Sequence, residues 1–80
     1  MKHDEIKNKL TEIIRDILDD ETITLTREMR ATDIEEWDSL AHISIIVAVE
    51  KEFKAKFDLY DIKRLKNVGD MIDLISSKIS

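Results

Sequence analysis

The chain contains no cysteine and only one glycine, Gly69, among its 80 residues. Without cysteine it has no disulfide framework, no thiolate nucleophile and no cysteine-based metal site, so its stability must come from helix packing. A cysteine-free chain suits the reducing cytoplasm, where we expect the protein to work. At this length we expect a single domain over positions 1–80, too small to enclose a deep catalytic cleft.

Long apolar stretches are also missing. The longest unbroken apolar run, residues 45–49, is far shorter than the roughly 20 residues that a membrane-spanning helix needs. The N-terminus shows no basic region followed by an apolar one, which is the pattern of a secretion signal. We therefore expect neither membrane insertion nor secretion by such a signal.

Basic residues are outnumbered, and the formal net charge is −5. This balance argues against nucleic acid as a partner, because phosphate binding needs clustered lysine and arginine. Residues 16–38 hold nine acidic and two basic residues, whereas residues 51–66 hold six basic and three acidic ones. The acidity is thus concentrated just ahead of Ser39, and it would steer a basic partner toward that residue.

The apolar pattern predicts a first helix that ends near Asp19, followed by a long loop. In the helix, apolar residues recur at steps of three and four: Ile6, Leu10, Ile13, Ile14, Ile17 and Leu18. From Asp20 to Trp37 this period lapses, which predicts a loop that is partly helical. Four apolar residues of the loop are candidate anchors to the core: Ile23, Leu25, Met29 and Ile34.

A second helix is predicted from Ser39 to about Lys54, although its β-branched residues would also suit a strand. Helical spacing puts His42 within a core-facing group and Ile43 at its edge. The other members of that group are Ile45, Ile46, Val49 and Phe53. Leu40 and Val47 then point away from the core, where they would form a contact stripe for a partner.

Two shorter patterns follow. Residues 59–65 predict a short third helix with apolar residues three apart, at Leu59, Ile62 and Leu65. Asn67 has the character of an N-cap for a fourth helix, with Asp70 at its third position. The apolar stripe of this helix consists of Val68, Met71, Ile72, Ile75 and Ile79. Gly69 lies in its first turn, where another backbone can approach closely.

The start of the second helix is the best candidate for a functional site. Asp38 is a good N-cap, which leaves Ser39 at the first helical position with its hydroxyl facing away from the core. The positive end of the helix dipole beside it favours a phosphodiester. Trp37, ahead of the cap, predicts a hydrophobic staple with His42.

A hydrolase site built from Asp38, Ser39 and His42 is disfavoured, because the sequence offers no evident oxyanion hole or enclosed pocket. We therefore expect no catalytic residues. With two histidines and no cysteine, we expect no structural metal site either.

Residues 36–43 (EWDSLAHI), followed by residues 49–53 (VEKEF), resemble the Asp-Ser-Leu attachment motif and second helix of acyl carrier proteins. The likeness continues through the apolar first helix, the acidic loop and residues 67–75 (NVGDMIDLI), and so covers nearly the whole chain. It implies an all-α, four-helix carrier-protein bundle with a long loop between helices one and two and a short third helix. It also implies a carrier of thioester-bound acyl groups, not an enzyme.

By the same resemblance, a phosphopantetheinyl transferase would use coenzyme A and magnesium to attach phosphopantetheine covalently to Ser39. Asp38 would serve recognition by that transferase. Leu40 and Val47 would contact acyl-loading and acyl-processing enzymes, and we expect Glu35 and Glu36 to guide their approach to a monomeric carrier. Such enzymes belong to fatty acid, polyketide or related specialised biosynthesis.

The chain departs from the pattern of fatty-acid-synthesis carriers, which commonly show Gly-Ala-Asp-Ser-Leu, acidic residues on the outer face of the second helix, where this chain has Ala41 and Ser44, and an acidic third helix. Here Glu36 and Trp37 precede Asp38. Non-acidic or basic residues take the other positions, namely Ala41, Ser44, Lys63, Arg64 and Lys66. The chain therefore resembles stand-alone carriers of specialised pathways. Two alternatives remain open, an aminoacyl or peptidyl carrier and an unmodified helical interaction domain.

Overall fold

The computed structural model describes residues 2–79, and these form four α-helices without a β-strand. The helices are α1 (His3–Leu18), α2 (Ser39–Phe53), α3 (Leu59–Lys63) and α4 (Val68–Ile79), with one turn of 3₁₀-helix at Ala31–Asp33. The predicted all-α architecture with a long first connection and a short third helix is confirmed. Within residues 2–79, no helix is both long and apolar enough to cross a bilayer.

The core is made of the apolar faces that the periodicity predicted. α1 packs against both α2 and α4. It buries four residues one turn apart, Ile6, Leu10, Ile14 and Leu18. α2 contributes Ile45, Ile46, Val49 and Phe53, and α4 contributes Val68, Met71, Ile72 and Ile75. No polar or charged side chain is buried among the described residues, so the interior is held together by apolar packing.

The two longest helices end in the same way. Asp19 after α1 and Lys54 after α2 adopt the left-handed conformation, with φ of 54° and 52°. Each donates its backbone N–H to a carbonyl in the last turn of its helix, Arg15 and Glu50 respectively. This conformation turns the chain away from the helix axis, which explains why the periodicity stops at these residues.

The connection between α1 and α2 is irregular but anchored. Ile23 and Leu25 are buried, and Met29 and Ile34 pack half-buried against the core, as predicted for all four anchors. The predicted partial helicity of this connection is confirmed by the single 3₁₀ turn at Ala31–Asp33.

Backbone hydrogen bonds dock this connection on the start of α4. Val68 N donates to Met29 O at 2.8 Å, and Gly69 N donates to Arg27 O at 2.9 Å. A Cβ atom on Gly69 would lie 3.1 Å from the same Arg27 oxygen, which is too close for unstrained contact. The single glycine of the chain is therefore where the two backbones meet, as the sequence predicted.

α3 is shorter than predicted, ending at Lys63 and not at residue 65. Asp58 caps it by accepting from Asp61 N at 2.7 Å, and the Asp61 carboxylate accepts from Asp58 N at 3.3 Å. The predicted apolar row is only partly correct. Ile62 and Leu65 pack against the core, but Leu59 is 68% exposed.

α4 begins as predicted, with Asn67 Oδ1 accepting from Asp70 N at 2.8 Å. The Asp70 carboxylate reaches one residue further back than an N-cap pair would, and accepts from Lys66 N at 3.1 Å. These bonds satisfy backbone donors that a helix start otherwise leaves free.

Candidate functional site

Ser39 is the first residue of α2, and the structure exposes it to solvent. Asp38 precedes it in an extended conformation, and its Oδ1 accepts from Ala41 N at 2.8 Å, which confirms it as the N-cap. The Asp38 carbonyl accepts from His42 N at 2.9 Å and so closes the first turn. The Ser39 hydroxyl makes no hydrogen bond within residues 2–79.

This environment fits a phosphodiester. An exposed serine oxygen outside the core leaves room for a long flexible arm, and nothing in the described chain covers it. The helix start beside it presents unsatisfied backbone N–H groups and the positive end of the dipole. An anionic phosphate is favoured at such a position.

Trp37 and His42 form the predicted staple across this turn. Trp37 is buried, and its indole Nε1 donates to His42 Nδ1 at 3.1 Å, with the ring centroids 6.0 Å apart. Burial lowers the pKa of His42 below its ordinary value of 6.5, because a charged imidazole is poorly solvated there. The neutral ring is therefore the form that accepts the indole proton.

The contact with Trp37 leaves His42 without a catalytic role toward Ser39. Its Nδ1 is occupied, and no hydrogen bond joins the Ser39 and His42 side chains in the part of the chain that the structure describes. A general base must lie within hydrogen-bond reach of the group that it deprotonates. The arrangement is that of a structural staple, and not that of a serine nucleophile with its base.

An aliphatic stripe runs along the outside of α2 and consists of Leu40, Ile43 and Val47. These residues are 76%, 60% and 45% exposed, respectively. Leu40 and Val47 point outward as predicted. Ile43 was expected at the edge of the core-facing group and is instead part of the stripe, because steps of three and four from Leu40 place all three on one face. Their exposure makes the stripe a candidate contact surface.

Ala41 is more buried than expected, whereas Ile43 is more exposed. Ala41 was expected on the outer face of α2, but it is half-buried and packs against the core. It lies about 90° from the centre of the buried face, so it belongs to the flank of the helix. Ser44, the other outer position, is exposed as expected.

The predicted acidic residues are exposed just ahead of the serine. Glu35 and Glu36 lie in the turn that leads into Trp37 and the Asp38 cap. Asp33, also exposed, accepts from Arg30 N at 2.9 Å and so holds the 3₁₀ turn. The sequence order thus places one negative group in the cap and two in the preceding turn, beside a serine at the positive end of a helix.

α3 presents two exposed apolar residues at its start and basic residues at its end. The apolar period of the sequence did not predict this exposed surface. Leu59 and Tyr60 are each 68% exposed, and the Arg64 guanidinium lies over the Tyr60 ring at 5.7 Å from its centroid. Lys63 and Lys66 are exposed nearby in the sequence.

The surface away from the start of α2 includes open grooves but, within residues 2–79, no arranged metal site. No group of three or more histidine and acidic side chains there is arranged to hold a metal ion. One open groove of about 340 Å³ lies between α3 and α4, where Asp61, Asp70 and Asp73 contribute to its lining. Each of these carboxylates already accepts a hydrogen bond. Asp61 accepts from Lys78 and from Asp58 N. Asp70 accepts from Lys66 N, and Asp73 accepts from Arg27.

Comparison with known proteins identifies the class of molecule. Residues 8–75 match the family described as "Phosphopantetheine attachment site". The acyl carrier protein of Acidothermus cellulolyticus is 32% identical over 77 residues, which is 96% of this chain and 92% of the relative. The acyl carrier protein of Petrotoga mobilis is 30% identical over 80 residues, or 100% of this chain and 94% of that protein.

The fold agrees with these relatives. A solution NMR structure of the holo acyl carrier protein from Geobacter metallireducens superimposes with a TM-score of 0.85 at 49% identity. The match covers 90% of this chain and 83% of the other. A helical carrier is thus the class that fold and site define.

The chain belongs to the phosphopantetheine-binding acyl carrier protein family. Its role is that of an acyl carrier and not a catalyst, and its prosthetic group is phosphopantetheine. Membership of this family implies interaction with biosynthetic enzymes and with a phosphopantetheinyl transferase. It also favours the carrier over the alternative of an unmodified interaction domain.

Proposed function

We propose that Ser39 is the residue that carries phosphopantetheine, transferred from coenzyme A by a phosphopantetheinyl transferase. The Ser39 oxygen loses its proton and forms the new bond to phosphorus, the pyrophosphate bond of coenzyme A breaks, and adenosine 3′,5′-bisphosphate leaves. The observation that carries this proposal is the exposed, unbonded Ser39 hydroxyl at the start of α2, inside the matched residues 8–75. The attached arm supplies a terminal thiol that holds acyl groups as thioesters. Asp38 holds the turn through its cap and presents its second carboxylate oxygen for recognition by the transferase.

Intact-mass spectrometry tests this assignment. The purified chain is incubated with coenzyme A, magnesium and a transferase of broad specificity, and we expect the mass of one phosphopantetheine to be added. Ser39→Ala abolishes the gain. Ser44→Ala is the matched control, since Ser44 is an exposed serine one turn further along the same helix. A gain that survives Ser39→Ala and disappears in another serine variant would move the attachment site.

The proposed role is delivery of acyl intermediates between enzymes of fatty acid, polyketide or related specialised biosynthesis, by a monomer in the cytoplasm. The departures from the pattern of fatty-acid-synthesis carriers support a specialised, stand-alone member, in particular the exposed bases Lys63, Arg64 and Lys66. Mass analysis of the thioester-linked group on protein purified from its native cell identifies the cargo. If the thioester-linked group is an amino acid or a peptide, the protein is an aminoacyl or peptidyl carrier and the assignment as an acyl carrier is wrong.

The outer stripe of α2 is the proposed docking surface, because Leu40, Ile43 and Val47 are exposed around one helix face. Glu35 and Glu36 ahead of the serine supply charge for long-range guidance. Desolvated aliphatic contacts set how long a complex lasts, whereas exposed charges mainly set how fast it forms. The two groups of residues should therefore affect different rate constants.

Stopped-flow binding to a cognate acyl-loading or acyl-processing enzyme separates these effects. Val47→Glu should mainly raise the dissociation rate, because complex formation then buries an unpaired charge. Glu35→Lys combined with Glu36→Lys should mainly slow association and flatten its salt dependence. Glu5→Lys combined with Glu12→Lys makes the same charge change on α1 and serves as the control. An unchanged dissociation rate for folded Val47→Glu would reject the α2 stripe as the docking surface.

A further inference from the structure

The hydrogen bond between Trp37 and His42 spans the residues on both sides of Ser39. Trp37 is buried two positions before the serine, and His42 follows it by three positions on α2. Their side chains meet at 3.1 Å, and the Asp38 carbonyl accepts from His42 N at 2.9 Å. A side-chain bond and a backbone bond thus close the same short segment, with Ser39 exposed at its outer edge.

The surroundings of His42 favour its neutral form. A small cavity of about 30 Å³ adjoins both rings, and Lys66, from the α3–α4 connection, is the only charged residue in its lining. The elements packed around it otherwise contribute uncharged residues: Met29, Ala31, Leu65, Asn67, Val68 and Met71. Along α2, the one nearby acid is the capping Asp38, and the positive helix end opposes protonation.

The acceptor role requires a specific tautomer. A neutral imidazole has one donor nitrogen and one acceptor nitrogen, so Nδ1 accepts the indole proton only when the imidazole proton is on Nε2. Protonation would place a proton on Nδ1 and leave two donors facing each other. The bond therefore exists in one charge state of His42 alone.

We propose that His42 is a positioning residue for modification of Ser39: by accepting the Trp37 indole proton, it holds the Asp38–Ser39 turn in the conformation that the transferase engages. This proposal rests on the proposed attachment at Ser39. Trp37 also lies near the end of the acidic connection between α1 and α2, residues 19–38. Loss of the bond releases the end of that connection, whose like charges repel one another, and lets the first turn of α2 fray.

Variants that remove or keep the acceptor test this role through the kcat/KM of Ser39 modification. His42→Leu removes the acceptor at similar volume, and Trp37→Phe removes the donor while keeping an aromatic ring. Each should lower kcat/KM about two- to twelvefold, the range that loss of one neutral hydrogen bond gives. The double variant should be no slower than either single one, because the two share one interaction. Independent, multiplying losses would overturn the proposal.

His42→Asn is the rescue variant. Its side-chain oxygen can take the place of Nδ1, so it should modify at a rate close to that of the wild type. Asparagine does not titrate, whereas histidine does. The ratio of wild-type to His42→Asn rates should therefore be constant near neutral pH and fall at acidic pH, below the depressed pKa of His42. The transferase's own pH dependence cancels in this ratio, and a ratio independent of pH would overturn the proposal.

A spectroscopic readout separates this inference from the attachment site. Trp37 is the only tryptophan, so its indole N–H gives a single resolved signal. We expect slow exchange of this proton with solvent in the wild type and in His42→Asn, and faster exchange in His42→Leu. If the wild type shows slow exchange but is never modified, Ser39 is rejected as the attachment site, while the hydrogen bond between Trp37 and His42 stands. Equally fast exchange in all three proteins would reject the role of His42.

Discussion

The two connections that flank α2 carry opposite charge and are held by different groups. The acidic connection, residues 19–38, is tied mainly through backbone carbonyls, beside one exposed ion pair between Arg27 and Asp73 at 2.9 Å. Met29 O and Arg27 O accept from Val68 N and Gly69 N at 2.8 and 2.9 Å. These bonds need two main chains to approach closely, so they depend on the absence of a side chain at Gly69.

The basic connection, residues 54–67, is tied mainly through carboxylates. Glu50 accepts from Phe57 N at 2.9 Å, and Asp61 pairs with Lys78 at 3.0 Å. The comparison shows that a segment between two longer helices can be fixed either by close backbone approach or by charged side chains. The first kind should respond to added volume, and the second to charge and pH.

Added volume at Gly69 should have the largest effect. Gly69→Val puts a branched side chain where a Cβ alone would lie 3.1 Å from Arg27 O, so we expect a loss of about 2–3 kcal/mol in the free energy of unfolding. Gly69→Ala should cost less, because alanine recovers about 1 kcal/mol of helix propensity. Urea denaturation measures both. Equal stability of the valine variant would show that the acidic connection does not need this contact.

Loss of the Glu50 carboxylate should rank second. Glu50 is half-buried, and Glu50→Ala leaves Phe57 N without its acceptor, which should cost about 1.5 kcal/mol. Glu52→Ala is the matched control on the same helix. It breaks only the exposed ion pair with Lys9 at 3.2 Å, so its cost should stay below about 0.5 kcal/mol. Similar losses in the two variants would mean that Glu50 acts merely as a surface charge.

The third effect is the pH dependence that Asp61 gives to the basic connection. Hydrogen bonds from Lys78 and from Asp58 N lower the pKa of Asp61 below 3.8. The stabilisation is therefore fully present above pH 3.8 and is lost as the pH falls through the lower folded-state value. Asp61→Asn should flatten the acidic limb of a plot of Tm against pH, and Lys78→Met should flatten it in part. If Asp61→Asn leaves the acidic limb of the plot unchanged, the loss of Tm at acidic pH comes from other carboxylates.

The smallest effect should be salt stabilisation of the acidic connection. Its like charges repel, so sodium chloride or millimolar magnesium should raise Tm by about 2–4 °C, the shift that roughly 0.5 kcal/mol produces in a domain of this size. Changing Glu21, Glu28, Glu35 and Glu36 together to glutamine should remove this response. Changing Lys54, Lys56, Lys63 and Lys66 to glutamine should leave it intact. A response that persists in the first variant would come from charges elsewhere.

The regular parts of the fold were predictable because helix burial leaves a period in the sequence. α1 shows this directly, since its predicted apolar residues Ile6, Leu10 and Ile14 are fully buried. The start of α2 was predictable for a local reason, because a capping aspartate acts on backbone atoms only three residues away. The staple between Trp37 and His42 is equally local.

The errors arose where position depends on distant parts of the chain. Ile43 lies at the boundary between two faces of α2, so its spacing alone does not decide between them, and α1 covers the opposite side of the helix. Leu59 follows the period of α3, yet no element covers it. The bonds from Val68 and Gly69 to the acidic connection join residues about 40 positions apart, and no pattern in either segment encodes that pairing.

The aliphatic stripe of α2 also has a consequence for handling the protein at high concentration. Leu40, Ile43 and Val47 form an exposed apolar patch on a small protein that carries a net charge of −5 at neutral pH. Mutual repulsion between copies keeps such faces apart. Near the isoelectric point of about 4.9 that repulsion vanishes, so colloidal stability should be lowest there and the chain should self-associate through α2.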